Sequence, residues 1–265
     1  MVYRIGFHHT TLRVDSEGEG IPLLLLHGYL ESLHIWDGFF PALLPHFRVI
    51  RMDLPGHGES GVIAPIHTME IMAESVSAVL DALSVESCIM IGHSMGGYIT
   101  LAFAEACIGR LLGFCLFHST PFADTEEKKT NREREIELVQ HGKKEVIIHV
   151  NIPRGFADDN LARLKTEVER ARQIALNTTD EGITAALQGM KLRKDRTAIL
   201  QQSPVPVLWM LGQKDNYIIF DNIKEKISLN QQGQLLVLKN SGHMGFIEEP
   251  QHACSGIISY FIPSE

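Results

Sequence analysis

The sequence has few cysteines and no apolar stretch long enough to cross a membrane. Only 4 of its 265 residues are cysteines, none of them forms a CxxC pair, and three lie in apolar stretches. We therefore expect buried free thiols in a reducing compartment. The first residues, MVYRIGFHHTTLRV, contain no apolar core of the kind that secretion signals have. Because no run of about 18 apolar residues occurs either, we expect a cytoplasmic protein.

An excess of positive charge is also missing. Lys and Arg number 24 against 32 Asp and Glu, which leaves a net charge of -8. This balance excludes a general affinity for nucleic acids or anionic membranes. The 13 histidines show no metal-ligand spacing such as HExxH, so we expect no metal and no cofactor. A small molecule is the expected partner, and the sequence does not define an oligomeric state.

Short apolar runs alternate with longer helical patterns along most of the chain, whose hydrophobic fraction of 45% suffices for a full core. This rhythm predicts an α/β fold with a mainly parallel central sheet of about eight strands and helices on both faces. Strands are expected at residues 3–7, 9–14, 21–27, 47–53, 87–93, 111–118, 205–212 and 234–239. Helices are expected at residues 34–46, 68–83, 95–107, 221–229 and 250–261.

One segment breaks this rhythm. From about Pro121 to Asp195 the sequence has no strand pattern, only charged helical patterns. An excursion of this length between two core strands predicts a helical insertion packed over one end of the sheet. We therefore expect a core formed by residues 1–120 and 196–265 and a helical cap formed by residues 121–195. The runs EEKK and RERE in the cap are expected to be solvated helix faces.

The segment IMIGHSMGGYITLAF places Ser94 in a GxSxG pattern where a predicted strand gives way to a helix. A serine on such a sharp turn is typical of a nucleophile elbow. Gly92 and Gly96 provide the small neighbours that the turn requires, and the free N–H groups at the helix start favour a developing oxyanion. A serine that merely caps the helix is the structural alternative.

A serine nucleophile needs a base, and the base needs an orienting carboxylate. His243, in KNSGHMGFIEEP, and Asp215, in LWMLGQKDNYII, each follow a predicted strand. Loops at the carboxyl ends of parallel strands meet at one edge of the sheet, so Ser94, Asp215 and His243 are the predicted catalytic triad. Asp124 is the rival acid, because it too follows a strand end, although its acidic helical surroundings favour a solvated helix start.

Two backbone N–H groups are predicted to hold the oxyanion. Met95 follows the nucleophile directly, and Tyr29 lies in HGY after the apolar run LLLL. A plain glycine turn is the alternative for HGY. In DLPGHGES, the proline and glycines favour a scaffold turn over a second site built from Asp53, His57 and Ser60.

The motifs HGY, DLPGHGES, GHSMGG, GQKD and SGHMGFIEEP make the sequence resemble the α/β-hydrolase fold superfamily over about residues 20–120 and 200–262. The resemblance implies a serine-nucleophile hydrolase with a helical cap. Serine in place of aspartate at position 94 speaks against haloalkane dehalogenase and epoxide hydrolase chemistry. The motifs HGxGPG, GGSWG and HGGG are absent, so the chain departs from carbon–carbon bond hydrolases, proline iminopeptidases and hormone-sensitive-lipase-type enzymes.

The expectation that remains is hydrolysis of a carboxylic ester, lactone or thioester of a small to medium acyl substrate through an acyl-enzyme. A ligand-sensing protein with slow turnover and a cofactor-free perhydrolase or haloperoxidase would use the same residues, and both stay open. For His118, a structural hydrogen bond is as good an interpretation as a pocket position. The predicted pocket residues are His27, Leu30, His93, His118, Phe122 and Met244.

Overall fold

A central sheet of eight strands runs through the computed structural model, which describes residues 1–227 and 231–262. The strands are β1 Val2–Phe7, β2 Thr10–Glu17, β3 Ile21–Leu26, β4 Phe47–Met52, β5 Cys88–His93, β6 Leu111–Phe117, β7 Val207–Gly212 and β8 Gln234–Leu238. Their order in the sheet is β1-β2-β4-β3-β5-β6-β7-β8. β2 pairs antiparallel with both β1 and β4, and the other neighbours are parallel. The predicted α/β fold class is confirmed.

The burial of the strands follows their place in the sheet. All residues of β5 and β7 are buried, as expected for parallel strands that are covered on both faces. At the edge, β1 alternates between exposed and half-buried residues, the period of two that a one-sided strand has. Because β3, β5, β6, β7 and β8 are parallel, their carboxyl ends meet at one edge of the sheet.

Helices cover both faces of the sheet. Helix α1 (Met69–Ala82) and helix α2 (Met95–Cys107) pack together on one face, over a core that includes Leu24 and Trp209. The opposite face carries Trp36, Phe39 and Phe246, together with the C-terminal helix described below. The four cysteines are unpaired, and three of them are buried, as the sequence predicts.

The helix predicted over residues 34–46 is wrong. Two short 3-10 turns, Leu33–Trp36 and Phe40–Ala42, occupy this segment. Pro41 lies at the start of the second turn, where its missing N–H is tolerated, whereas a continuous helix would need that N–H. The apolar residues here are buried without forming a helix.

Four helices of ten or more residues lie between β6 and β7. They are α3 Glu126–Gln140, α4 Lys144–Arg154, α5 Lys165–Leu176 and α6 Asp180–Leu192. Helix α3 packs against α6, and α4 against α5. The structure describes this whole segment and places no strand in it. The division into a core and a cap stays a prediction.

The remaining helices are α7 Thr197–Gln201, α8 Phe220–Ile223, α9 Gly245–Glu248 and α10 Pro250–Phe261. The helix predicted over residues 221–229 is replaced by α8 and a 3-10 turn, Lys224–Lys226, and residues 228–229 of that prediction lie outside the described residues. Residues 263–265 of the predicted core also lie outside the described residues. No described helix combines the length and apolar character needed to cross a membrane.

Candidate active site

Ser94 occupies a strained turn between β5 and α2. Its φ angle is 49°, in the left-handed region that non-glycine residues rarely adopt. The glycines on either side make the turn possible: a Cβ on Gly96 would lie 2.4 Å from the carbonyl oxygen of Leu26, and one on Gly92 would lie 2.4 Å from that of Gly96. Any larger residue at these positions would push α2 away from the sheet.

Hydrogen bonds hold the strained turn in place. The backbone N–H of Ser94 donates to the carbonyl of Phe117 (3.0 Å). The carbonyl of Ser94 accepts from the Ser119 hydroxyl (2.7 Å) and from the N–H of Gly97 (3.0 Å). Strain of this kind persists only where the surroundings enforce it, so the conformation of Ser94 is built into the fold.

His243 and Asp215 form a hydrogen-bonded pair beside this turn. The distance between His243 Nδ1 and Asp215 Oδ2 is 2.7 Å. The other oxygen of Asp215 accepts from the N–H groups of Tyr217 (2.7 Å) and Ile218 (2.9 Å). Burial alone would raise the pKa of Asp215, but His243 and the hydrogen bonds from His118 and His243 hold it well below its usual range. Asp215 is therefore an anion that fixes the His243 ring.

His118 packs behind this pair instead of lining the pocket. Its ring is fully buried, and its two nitrogens lie 3.0 Å from the N–H of Gly212 and 3.1 Å from the N–H of Gly245. Its Nδ1 is also 3.5 Å from Asp215 Oδ2. Burial lowers the pKa of His118 to about 4, so this histidine is neutral at pH 7. The sequence predicts that His118 either makes structural hydrogen bonds or lines the pocket, and its position corresponds to the first.

A buried ion pair connects the two sides of the site. Glu31 Oε2 accepts from the N–H of Gly28 (2.6 Å) and lies 3.0 Å from His93 Nδ1. His93 Nε2 lies 2.9 Å from the carbonyl oxygen of His243. Because both partners of the His93 ring are acceptors, both nitrogens carry a proton. Burial would lower the pKa of His93, but Glu31 raises it overall. No sequence motif pointed to Glu31, because its partner lies in a different loop.

The two N–H groups predicted for the oxyanion have no competing acceptor. Within the described residues, neither the N–H of Tyr29 nor that of Met95 donates a hydrogen bond. Buried backbone donors are almost always paired, so two free N–H groups beside a strained serine indicate a place for a ligand oxygen. Leu30, which follows Tyr29, has a φ angle of 61°.

A cavity of about 650 Å³ lies over these residues and under α3 and α4. Among the predicted residues, it is lined by Ser94, His243, Tyr29, Leu30, Phe122 and Met244. His27, His93 and His118 do not line it, so their prediction as pocket residues is wrong: each is fully buried behind the wall. Their rings contact backbone groups of neighbouring loops. The position of a histidine in the sequence does not show whether it makes such a contact or contacts a substrate.

The charged face of α3 also differs from the prediction of solvated runs. Arg132 and Glu135, the first and last residues of RERE, line the cavity together with Lys128 and Asn131. These positions share one helix face, and the two middle residues of RERE are exposed. Glu135 accepts from the Tyr29 hydroxyl (3.2 Å) and from Asn151 Nδ2 (3.0 Å). The segment that covers the cavity thus bonds directly to the predicted oxyanion loop.

Asp124 is a buried ion-pair partner, so its interpretation as a solvated helix start is wrong. Its carboxylate bonds to Arg132 and Arg193. Burial would raise the pKa of Asp124, but the two arginines lower it overall.

In the motif DLPGHGES, Asp53 accepts hydrogen bonds from the N–H groups of Leu33 (2.7 Å) and Glu59 (2.8 Å). These bonds to backbone groups are those of a scaffold turn.

Ligand atoms of His118, Asp215 and His243 lie within 4.8 Å of one another, a spacing that a metal ion would tolerate. Asp215 already holds His243 Nδ1, and the two His118 nitrogens lie 3.0 and 3.1 Å from the backbone nitrogens of Gly212 and Gly245. A metal would have to displace these bonds. The expected independence from metal stays a prediction, and loss of activity in a chelator with recovery on adding metal would contradict it.

Comparisons with known proteins agree with this architecture. A family model described as alpha/beta hydrolase fold matches residues 21–126. The AB hydrolase superfamily protein YisY of Bacillus subtilis is 30% identical, over 95% of this chain and 96% of its own length. The dihydrolipoyllysine-residue acetyltransferase component of the acetoin cleaving system of Pseudomonas putida is 28% identical over 93% of this chain, which spans 65% of that protein.

A solved structure is similar over its full length. The malate-bound form of a thermophilic esterase from Thermogutta terrifontis is 30% identical, with a TM-score of 0.92 over 98% of this chain and 97% of that chain.

Proposed function

We propose, from the premise that this chain belongs to the α/β-hydrolase superfamily, that it cleaves a carboxylic ester, lactone or thioester of a small to medium acyl substrate through an acyl-enzyme on Ser94. The observation that carries this proposal is a cavity lined by both the strained Ser94 and His243, beside the N–H groups of Tyr29 and Met95, which have no acceptor among the described residues. The similar thermophilic esterase supports ester cleavage.

Each residue has one role in the proposed mechanism. His243 takes the hydroxyl proton as Ser94 attacks the carbonyl carbon, and Asp215 stabilises the positive imidazole that results. The N–H groups of Tyr29 and Met95 donate to the oxyanion. The leaving group takes the proton from His243, and water then repeats the cycle on the acyl-enzyme. A small-molecule ester is the proposed partner; cytoplasmic location and the absence of nucleic-acid and membrane partners stay predictions.

Hydrolysis of p-nitrophenyl esters from acetate to dodecanoate tests this function. The wild type should turn over the shorter esters, and its chain-length optimum should report the length of the cavity. Ser94→Ala should lose turnover by about 10⁶-fold and keep its melting temperature. Ser255→Ala, an exposed serine on α10, is the matched control and should retain full activity. Normal turnover in Ser94→Ala would contradict the proposal.

The two alternatives that the sequence leaves open, a ligand sensor and a perhydrolase, predict different results in this ester assay and in an assay with acetate and peroxide. A ligand sensor would turn over every ester very slowly, and a ligand would change the protease sensitivity of α3 to α6. A perhydrolase would act on acetate and peroxide, again in a Ser94-dependent manner. Either outcome would replace ester hydrolysis as the main activity.

A further inference from the structure

A second polar site lies in the wall of the same cavity. Tyr98 is one helical turn beyond Ser94 on α2, Arg132 is on α3, and Arg193 directly follows α6; all three line the cavity. The guanidinium carbon of Arg193 lies 4.0 Å from the centre of the Tyr98 ring. We call Tyr98, Arg132 and Arg193 the arginine site.

The arginine site has more positive than negative charge. Asp124 is the carboxylate that bonds to both guanidinium groups: Arg132 bonds to both of its oxygens, and Arg193 bonds to one. The side chain of Arg132 is 17% exposed and that of Arg193 only 2%. One carboxylate cannot neutralise two cations, and a buried cation is costly unless it is paired. The site therefore favours a second anion.

The site also has more donors than acceptors. Arg132 bonds to Asp124 through Nε and Nη2, while its Nη1 lies 3.3 Å from the Met190 sulfur. Arg193 Nε donates to the carbonyl of Phe122 (3.0 Å), and Arg193 Nη1 donates to the carbonyl of Met190 (3.1 Å) and bonds to Asp124. In the part of the chain that the structure describes, Arg193 Nη2 and the Tyr98 hydroxyl have no partner, although Tyr98 is only 9% exposed. Unused fork-shaped donors match the two oxygens of a carboxylate.

The other charges of the cavity set the direction of such a ligand. Glu135 lies one turn further along α3 and bonds to Tyr29 of the oxyanion loop. Its negative charge repels an anion at that end, whereas the arginine site attracts one. Elsewhere in the lining, Glu31 and Glu127 are negative and Lys128 and Arg154 are positive. Arg154 already donates to the carbonyl of Asn216 and lies over the Tyr217 ring. A substrate with one anionic end would therefore bind with that end at the arginine site and its neutral ester group at Ser94.

We infer that the arginine site binds a free carboxylate of the substrate, so that the substrate is an ester with a second, ionised carboxyl group, such as a half-ester of a dicarboxylic acid. This inference rests on the proposed function. With a helix rise of about 1.5 Å per residue, Tyr98 lies roughly 6 Å along α2 from Ser94. A short chain of a few carbon atoms is therefore enough to connect the two groups.

Two pairs of esters, matched in length, test this inference. Monomethyl adipate against methyl hexanoate places the charge on the acyl side, and 4-acetoxybutanoate against butyl acetate places it on the alcohol side. The wild type should have a higher kcat/KM for the anionic member of at least one pair, by about tenfold to a hundredfold, the range of hydrogen bonds to charged groups. Equal or lower values for the anionic member of both pairs would overturn the inference.

Variants of Arg132 show whether the preference arises at this site. In Arg132→Gln the KM for the anionic ester should rise far more than the KM for its neutral match, so that the preference disappears while Arg193 still pairs with Asp124. Arg132→Lys should restore part of the preference, because it keeps the charge without the fork. Arg134→Gln, exposed on the same helix, should behave as wild type. Parallel losses for both esters in Arg132→Gln would overturn the inference.

Binding of adipate separates this inference from the proposed function. In calorimetric titrations, Ser94→Ala protein should bind adipate, and Ser94→Ala combined with Arg132→Gln should bind it at least about tenfold more weakly. Adipate binding without turnover of any ester would refute the hydrolase and leave the arginine site standing. Ester turnover without Arg132-dependent binding of adipate would refute the arginine site and leave the hydrolase standing.

Discussion

At the scale of single residues, Asp215 and Asp124 are both buried carboxylates that follow strand ends, yet they have different partners. Asp215 holds Nδ1 of His243, and Asp124 holds two arginines. The loop order in the sequence identifies Asp215, but it cannot reveal the partners of Asp124, because Arg193 lies far away in the chain. The sequence therefore places Asp215 in the loop where it pairs with His243, and its role as the catalytic acid stays a prediction; the sequence misjudges the surroundings of Asp124.

Exchange of each acid for its amide measures this difference. Asp215→Asn should lower kcat by about 10⁴-fold, because the imidazole loses the anion that orients it. Asp124→Asn should retain most of its kcat on a neutral ester, since it does not contact His243. Ester hydrolysis, with a melting curve for each variant, checks the result. A larger loss of kcat in Asp124→Asn than in Asp215→Asn would show that the acid has been assigned wrongly.

The charge state of His93 is a second prediction at this scale. Its pKa is raised by Glu31, so its imidazole should remain doubly protonated as the pH rises past its ordinary value of about 6.5. The stability that it contributes should be complete below pH 6.5 and lost as the pH rises through the raised value. A pH titration followed by the nitrogen NMR shifts of the His93 ring should have a higher midpoint in the wild type than in Glu31→Gln. Equal midpoints, or a lower one in the wild type, would contradict this assignment.

At the scale of elements, α3 connects the helices that line the cavity to the predicted oxyanion loop. The Tyr29 hydroxyl bonds to Glu135, Asn151 of α4 bonds to the same carboxylate, and the Tyr217 hydroxyl bonds to the Asn151 carbonyl (2.8 Å). Tyr217 in turn lies beside Asp215. This chain of hydrogen bonds crosses the cavity from the predicted oxyanion loop to the loop that contains Asp215.

A double-mutant cycle on this connection tests its effect. Tyr29→Phe and Glu135→Gln should each lower kcat, because the Tyr29 N–H is less firmly placed for the oxyanion. Together they should cost little more than either alone, with a coupling of about 1 kcal/mol between them. Glu137→Gln, an exposed acid on the same helix, is the control and should have wild-type kcat. Fully additive losses would mean that the two side chains act independently.

The sequence predicts most elements but not this connection. The buried parallel strands are recognisable because each is a continuous apolar run. The helix prediction for residues 34–46 fails because the spacing of the apolar residues there resembles that of a helix. Pro41 interrupts the segment, which forms two short 3-10 turns instead. Charged residues on α3 look alike in the sequence, so the face that meets the cavity becomes visible only when α6 and α4 are placed around it.

At the scale of the whole molecule, buried neutral histidines should make stability depend on pH. Burial lowers the pKa of His57 to about 3 and those of His67 and His118 to about 4. The unfolded chain binds protons at these residues below about pH 6.5, whereas the folded protein does not. Their contribution is therefore complete above pH 6.5 and is lost as the pH falls toward 4.

Urea unfolding between pH 7 and pH 4.5 measures this effect. The free energy of unfolding should fall with decreasing pH, by up to about 1.4 kcal/mol per pH unit for each such histidine. His57→Gln, which cannot titrate, should reduce that slope by up to this amount. The same slope in wild type and variant would contradict the assigned pKa of His57.

Covalent trapping with an active-site reagent tests whether Ser94 is the nucleophile. The wild type is treated with an alkyl fluorophosphonate, and the modified peptides are identified by mass spectrometry. We expect one phosphonyl group per chain, located on Ser94, with no labelling of Ser94→Ala and with loss of ester hydrolysis in proportion to labelling. A protein that hydrolyses esters while Ser94 stays unmodified, or whose label lies on another residue, would contradict it.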